Sequence, residues 1–242
     1  LNHIKSDPEL RLEVTQNGEA FVYYRKGYAI EIGRLKADKK YGDIPETNLA
    51  VTSTSKYFSL MNMVMNAWLN SKKERVDLAT QQNVARFNQN TNGRYLVLDM
   101  EYAFEQHEIS KENREKRGVF DLIGLDFQTH RIVFFEVKKG MGATKGKSGI
   151  EEHIFDFNTY LFGKNSDLFR RNLKQDIKNI IDDKNILGIL NYSYDSEVFE
   201  KSDPELVFVF HPDKDSEIIE FSKELNNRHK LITVTDSDSI LK

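Results

Sequence analysis

The sequence contains no cysteine. Disulfides, thiol catalysis, cysteine-ligated zinc and iron–sulfur clusters are excluded together. Prolines number only four, and no low-complexity tract interrupts the chain. No run approaches the roughly 18 apolar residues of a membrane span, and the N-terminus lacks a signal-peptide pattern. No membrane partner is therefore expected, and a cytoplasmic location is. Leu1 stands where an initiator Met would, so a few upstream residues are expected. An excess of positive charge is missing too. The formal net charge of −3 excludes a uniformly basic nucleic-acid coat and leaves room for a local basic patch. What remains is a chain of 242 residues, 39% hydrophobic and 30% charged. That is enough for one generous domain or two small ones with a real core.

Residues 10–36 are rich in Val, Tyr, Phe and Ile and carry hairpin turn signals at Asn17-Gly18 and Lys26-Gly27. They predict a small antiparallel meander. Tyr57, Met61, Val64 and Trp68 recur at helical spacing, flanked by Phe58, Met65 and Leu69, and the methionines read as core filler. A second helix is expected from about Glu74 to Asn88. Strands follow at Arg94–Gln106, Gly118–Phe127 and His130–Gly140, with a charged loop over 107–117. Ser148 and Glu151 form an S-x-x-E capping box that would open a helix. A longer helix is expected over Asp167–Asp183, with Leu168, Leu173, Ile177 and Ile180 as its buried side. The runs 206–210 and 230–234 read as late strands, with a helix between them at about 216–227. The expected division is a β-rich appendage over 1–55 and a larger α/β unit over 56–242.

The chemistry concentrates between Asp121 and Lys138. Strand Val119–Phe127 turns near Gln128-Thr129 and returns as His130–Val137. Whether the loop has two residues or four, the register puts Asp121 directly opposite Glu136. Paired residues of an antiparallel ladder share a face, with Cβ atoms about 4.5–5.5 Å apart. Lys138, two residues on, shares that face. Two carboxylates so close repel unless something positive lies between them. A divalent cation does this, and oxygen ligands suit Mg²⁺ or Mn²⁺. The Val137 carbonyl is a further candidate ligand. A lysine beside the ion can orient or activate a water, so the set matches metal-assisted phosphodiester hydrolysis. Asp99 and Glu101 lie on one face of the preceding strand, and Glu101 is the candidate third acid. The bland alternative is an ion pair at a strand end, Glu136 with Lys138 or Lys139. Acid-x-Lys triplets also occur at Asp38, Asp176 and Asp182, but only Glu136 closes an apolar strand-like run opposite an Asp.

These residues resemble the PD-(D/E)xK nuclease superfamily, with Asp121 in "VFDLIGL" and Glu136-Val137-Lys138 in "IVFFEVKKG". The order of elements over about 74–211 is similar as well. Phe120 replaces the Pro of the motif's name. The family's upstream acid lies on a helix, where Glu74 or Asp77 would stand in place of Glu101. The resemblance implies a restriction-endonuclease-like α/β core, a Mg²⁺- or Mn²⁺-dependent endodeoxyribonuclease, and DNA as partner, with RNA left open. Cutting two strands with one site per chain would suggest a homodimer. The expected roles are metal binding for Asp121, Glu136 and Val137 and catalysis for Asp121, Glu136, Lys138 and Glu101. Lys139, Lys145 and Lys147, with Arg170, Lys174 and Lys178 at i, i+4 and i+8, could cradle a phosphate backbone. His153 and Asp156, on the first turns of the helix opened by Ser148, are auxiliary candidates. Two rivals stand beside this reading. One is a non-cleaving nucleic-acid-binding or scaffolding member of the same fold. The other is a phosphate-binding loop at 141–148, where Met141 occupies the position of the first glycine.

Overall fold

The computed structural model describes the chain apart from residues 26, 72–75, 106–116, 140–148, 213–224, 226–228 and 236–237, and apart from the side chains of 76, 77, 105, 117 and 118. After a short helix α1 (Asn2–Ser6), strands β1 (Leu10–Val14), β2 (Ala20–Tyr24) and β3 (Gly27–Glu31) form the expected antiparallel meander. Gly18, at φ +72°, makes the first turn, and its N–H donates to the Thr15 carbonyl at 2.9 Å. That backbone region suits glycine best.

Two helices, α2 (Leu49–Thr52) and α3 (Thr54–Ser71), follow the meander. Tyr57, Phe58, Met61 and Met65 of α3 join Leu10, Leu12, Val22, Tyr24 and Ile30 in one buried cluster. The Tyr57 hydroxyl donates to the Ala29 carbonyl at 3.0 Å. The expected boundary after residue 55 thus falls inside the first turn of α3, the helix whose apolar face covers the meander.

The larger sheet holds β4 (Tyr95–Glu105), β5 (Arg117–Asp126), β6 (Arg131–Lys138), β7 (Glu205–Phe210) and β8 (Lys230–Thr233), in that spatial order. The first three are antiparallel; β7 and β8 run parallel to β6. Helix α4 (Val76–Phe87) lies on one face, with Val84 and Ala85 against Val97, Met100, Leu122 and Val133. Helices α5 (Ile150–Phe162) and α6 (Ser166–Ile186) cover the other, and a short α7 (Ser196–Phe199) leads into β7. Phe134, fully buried, anchors that second face. Its ring meets Phe120, Tyr102, Phe157 and Tyr160 with centroids 4.6 to 6.2 Å apart. Full burial of one such side chain stabilises by roughly 1.5–3 kcal/mol.

Helix α5 begins at Ile150 with Gly149 at its N-cap; Ser148, the expected cap, lies outside the described residues. One local expectation is corrected. On α6, Leu168 is 43% exposed and Phe169 is buried instead, because the inward stripe runs through Phe169, Leu173, Ile177 and Ile181 at four-residue spacing. The helix expected over 216–227 falls almost wholly outside the described residues.

Buried charges join the meander to the core. Lys184 of α6 donates to Glu13 of β1 at 2.6 Å, and Arg11 pairs with the same carboxylate. Burial works against the Glu13 charge, yet the two cations hold its pKa below the ordinary value. No helix among the described residues is long and apolar enough to cross a membrane.

Candidate metal centre

The β5–β6 ladder runs from Asp126–Arg131 to Leu122–Phe135, which is the register read from the sequence with the four-residue loop. Beyond that last pair the strands part. On β5, Phe120 packs in the α5–α6 core and Leu122 in the opposite one, so the two-residue alternation breaks at Asp121. On β4, Met100 and Tyr102 show the same break around Glu101, whose φ is +54°. Strand β6 meanwhile continues straight and stays paired with β7 as far as Lys138–Phe210. The Val137 N–H therefore projects past the last β5 partner, and Asp121 Oδ2 accepts from it at 2.8 Å. The Lys138 carbonyl accepts from His211 N–H on the β7 side at 3.0 Å. Since main-chain groups alternate edges along a strand, the Val137 carbonyl faces the same opening as Asp121.

Glu136 is fully buried, and its charge acts on the Asp121 carboxyl. Lys138 Nζ, only 4% exposed, donates to Glu136 Oε2 at 3.3 Å. His153 Nδ1, from the first turn of α5, lies 3.1 Å from Glu136 Oε1. That distance suits an ion pair, but the ring N–H is not aimed at the oxygen, and buried Oε1 makes no hydrogen bond. Burial pushes the Glu136 carboxyl up to about 7 against the opposing effect of Lys138. Burial, and then the Glu136 charge, push Asp121 well above the carboxylate range despite Lys138, Val137 N–H and His153. Burial thus outweighs Lys138 and His153 at both acids, and the pair stays raised.

The expected residues divide into those brought together and those kept apart. Asp121, Glu136, the Val137 backbone, Lys138 and His153 meet. Glu101 does not join them: it is exposed, and the side chain it acts on is Tyr23 of β2. Its left-handed backbone turns it out of the alternation that would have aligned it with Asp121. Asp156, one turn beyond His153, is half-buried and is not among the main charges acting on either acid. Lys139 is half-buried at the end of β6. Lys145, Lys147 and the loop 141–148 lie outside the described residues, as do Glu74 and the side chain of Asp77. The expected positive face of α6 is neutralised. Arg170 pairs with Asp203 at 2.6 Å, Lys174 with Glu200 at 3.0 Å, and Lys178 with Asp182.

Among the described residues no group of three His, Asp or Glu side chains already closes around a cation position. Two carboxylates and a carbonyl form a partial set that would leave the remaining ligand positions to water and substrate oxygens, as Mg²⁺ sites commonly do. One polar cluster went unread in the sequence. The Tyr102 hydroxyl donates to Asp176 Oδ2 at 2.7 Å and meets the Tyr160 hydroxyl at 3.3 Å. Nothing in the spacing of these residues signals their contact. Comparisons with protein-family models, curated proteins and solved structures find no match to this chain.

Proposed function

We propose that this protein is a divalent-metal-dependent nuclease with a restriction-endonuclease-like core, hydrolysing phosphodiester bonds of DNA. The observation that carries the reading is the pair of neighbouring buried carboxyls where the β5–β6 ladder ends, both raised by burial, with the Lys138 ammonium 3.3 Å from Glu136. A purely structural acid in such a position would be fully compensated. Here Glu136 Oε1 is buried without a hydrogen bond, which fits an oxygen reserved for a cation.

Asp121, Glu136 and the Val137 carbonyl would hold Mg²⁺ or Mn²⁺. Such an ion, when bound, supplies positive charge to a phosphoryl oxygen and makes a water more acidic. Val137 N–H fixes the Asp121 carboxyl, so that group is oriented before substrate arrives. Lys138 orients the attacking water and offsets negative charge growing on the phosphoryl oxygens. Lys139, next along the strand, would contact the substrate backbone.

The test is nicking of supercoiled plasmid and cleavage of single-stranded DNA with added Mg²⁺ or Mn²⁺. Cleavage that requires the ion and disappears in Lys138→Ala supports the reading. Cleavage that survives Lys138→Ala removes this site from the reaction. DNA binding without cleavage replaces the enzyme with a binding module of the same fold.

A further inference from the structure

The tyrosine–aspartate cluster lies in a cleft of about 340 Å³ between the edge strand β4, helix α6 and the β1–β2 turn. None of the metal-centre residues lines it. Asp176 of α6 is half-buried there. Its Oδ2 accepts from the Tyr102 hydroxyl at 2.7 Å, and the Tyr160 hydroxyl stands 3.3 Å from that of Tyr102. With the Tyr102 proton committed to Asp176, Tyr160 is left to donate to Tyr102, and both protons run toward the carboxylate. The other oxygen, Oδ1, accepts from no described residue and is not sealed in the interior. Burial pushes the Asp176 carboxyl up against the Tyr102 hydrogen bond, and no described cation pairs with it. Among the described residues no lysine, arginine or histidine lines the cleft. Its polar rim includes Asn17 and Asn172, and its apolar lining includes Phe104 and Leu168. The Gln16 side chain donates to the Ala103 carbonyl at 2.7 Å, which ties the β1–β2 turn to the outer edge of β4.

We propose that this cleft binds a small organic cation, a protonated alkylamine, with its ammonium on Asp176 Oδ1 and its carbon chain against Phe104 and Leu168. The charge pattern selects that class. A carboxylate facing no fixed cation repels anions and attracts a positive group. A divalent ion takes several oxygen ligands, usually with more than one carboxylate, and the cleft offers a single acid. A neutral polyol would leave the carboxylate charge uncompensated. An ammonium has three N–H donors. Asp176 takes one, and the side-chain carbonyls of Asn17 and Asn172 are acceptors for the others. The volume lies near the lower end for ligand pockets, which suits a small molecule. An occupant touching both α6 and the β1–β2 turn would reinforce the Gln16 tie between the meander and the larger sheet. The assignment does not depend on the metal-site reading.

The test is a ¹H–¹⁵N NMR titration of the full, metal-free chain with n-butylammonium chloride, n-butanol and sodium butyrate. Butylammonium is expected to give saturable shifts at the side-chain amides of Asn17 and Asn172, with a Kd of about 1 mM. Butanol keeps the chain without the charge and should bind at least about tenfold more weakly. Butyrate should give no saturable shift. Asp176→Asn keeps the size and removes the charge, and should weaken butylammonium binding about tenfold or more. Asn172→Trp, at an exposed position of α6, fills the cleft without removing the Tyr102–Asp176 bond and should abolish binding. A thermal melt checks that both variants fold. Equal affinity for butanol and butylammonium, unchanged affinity in folded Asp176→Asn, or shifts confined to residues outside the cleft overturns the proposal. So does a wild type with no saturable shift in the millimolar range. Should Asp176→Asn fail to fold, Asn172→Trp decides, and undiminished binding there overturns the proposal.

Discussion

The two ends of the β5–β6 hairpin carry buried acids treated in opposite ways. At the turn end, Asp126 accepts from Gln128 and Thr129 N–H at 2.8 and 3.2 Å, pairs with Arg94 at 2.9 Å and meets Lys230 at 3.3 Å. Burial works against its charge, but these partners hold its carboxyl below the usual range. At the open end, five residues back along the same strand, Asp121 and Glu136 are both pushed up. The first acid is compensated on every side and closes a turn. At the second pair, burial outweighs Lys138 and His153, a cost that the proposed metal ion would offset.

Substitutions at the two ends separate these roles. The largest effect is expected on chemistry: Lys138→Ala should reduce metal-dependent nicking by about 10²–10⁴-fold, read from initial rates on supercoiled plasmid. The conservative Asp126→Asn, per folded molecule, should not. Next comes stability. Asp126→Ala strands Arg94 and Lys230 and should cost about 3 kcal/mol, or a fall of roughly 6–12 °C in Tm for a domain of this size. The open end should respond with the opposite sign. Glu136→Gln removes the repulsion and should raise the metal-free Tm by roughly 2–4 °C, about 1 kcal/mol.

The smallest effect is on pH dependence. The Glu136 carboxyl ionises at about 7 when folded against an ordinary 4.5. The folded state therefore holds extra protons between these values, and its stability falls as pH rises through that window. The metal-free wild type should melt higher at pH 5.5 than at pH 8, and Glu136→Gln should flatten that difference. Asp126 acts the other way round and only in stronger acid. Its depressed carboxyl contributes stability that is lost as pH drops below its ordinary value of 3.8. A steeper profile in Glu136→Gln than in wild type would contradict the contrast between the two ends.

Much of this architecture was legible in local patterns. The meander, α3, the five later strands and the hairpin register follow from two- and 3.6-residue periodicity and from turn residues such as Gly18. The register alone placed Asp121 opposite Glu136. The break in alternation at Glu101 and Asp121 was not legible. It arises because β4 and β5 bend together while β6 follows β7, a choice made by packing between strands far apart in sequence. That bend expels Glu101 and sends the Asp121 carboxyl to the Val137 N–H. The partners of the positive stripe Arg170, Lys174 and Lys178 were hidden for a related reason. Asp203 and Glu200, distant in sequence, fold back to pair with two of its members, and spacing along one helix carries no trace of them. His153 was visible only as a polar residue early in a helix; its distance to Glu136 depends on how α5 crosses the sheet.

The most direct measurement is anomalous diffraction at the manganese edge from crystals soaked in MnCl₂. The account predicts a peak bridging the carboxyl groups of Asp121 and Glu136, lost in Asp121→Asn crystals of the same form. Ordered side chains at both positions with no peak between them would contradict it.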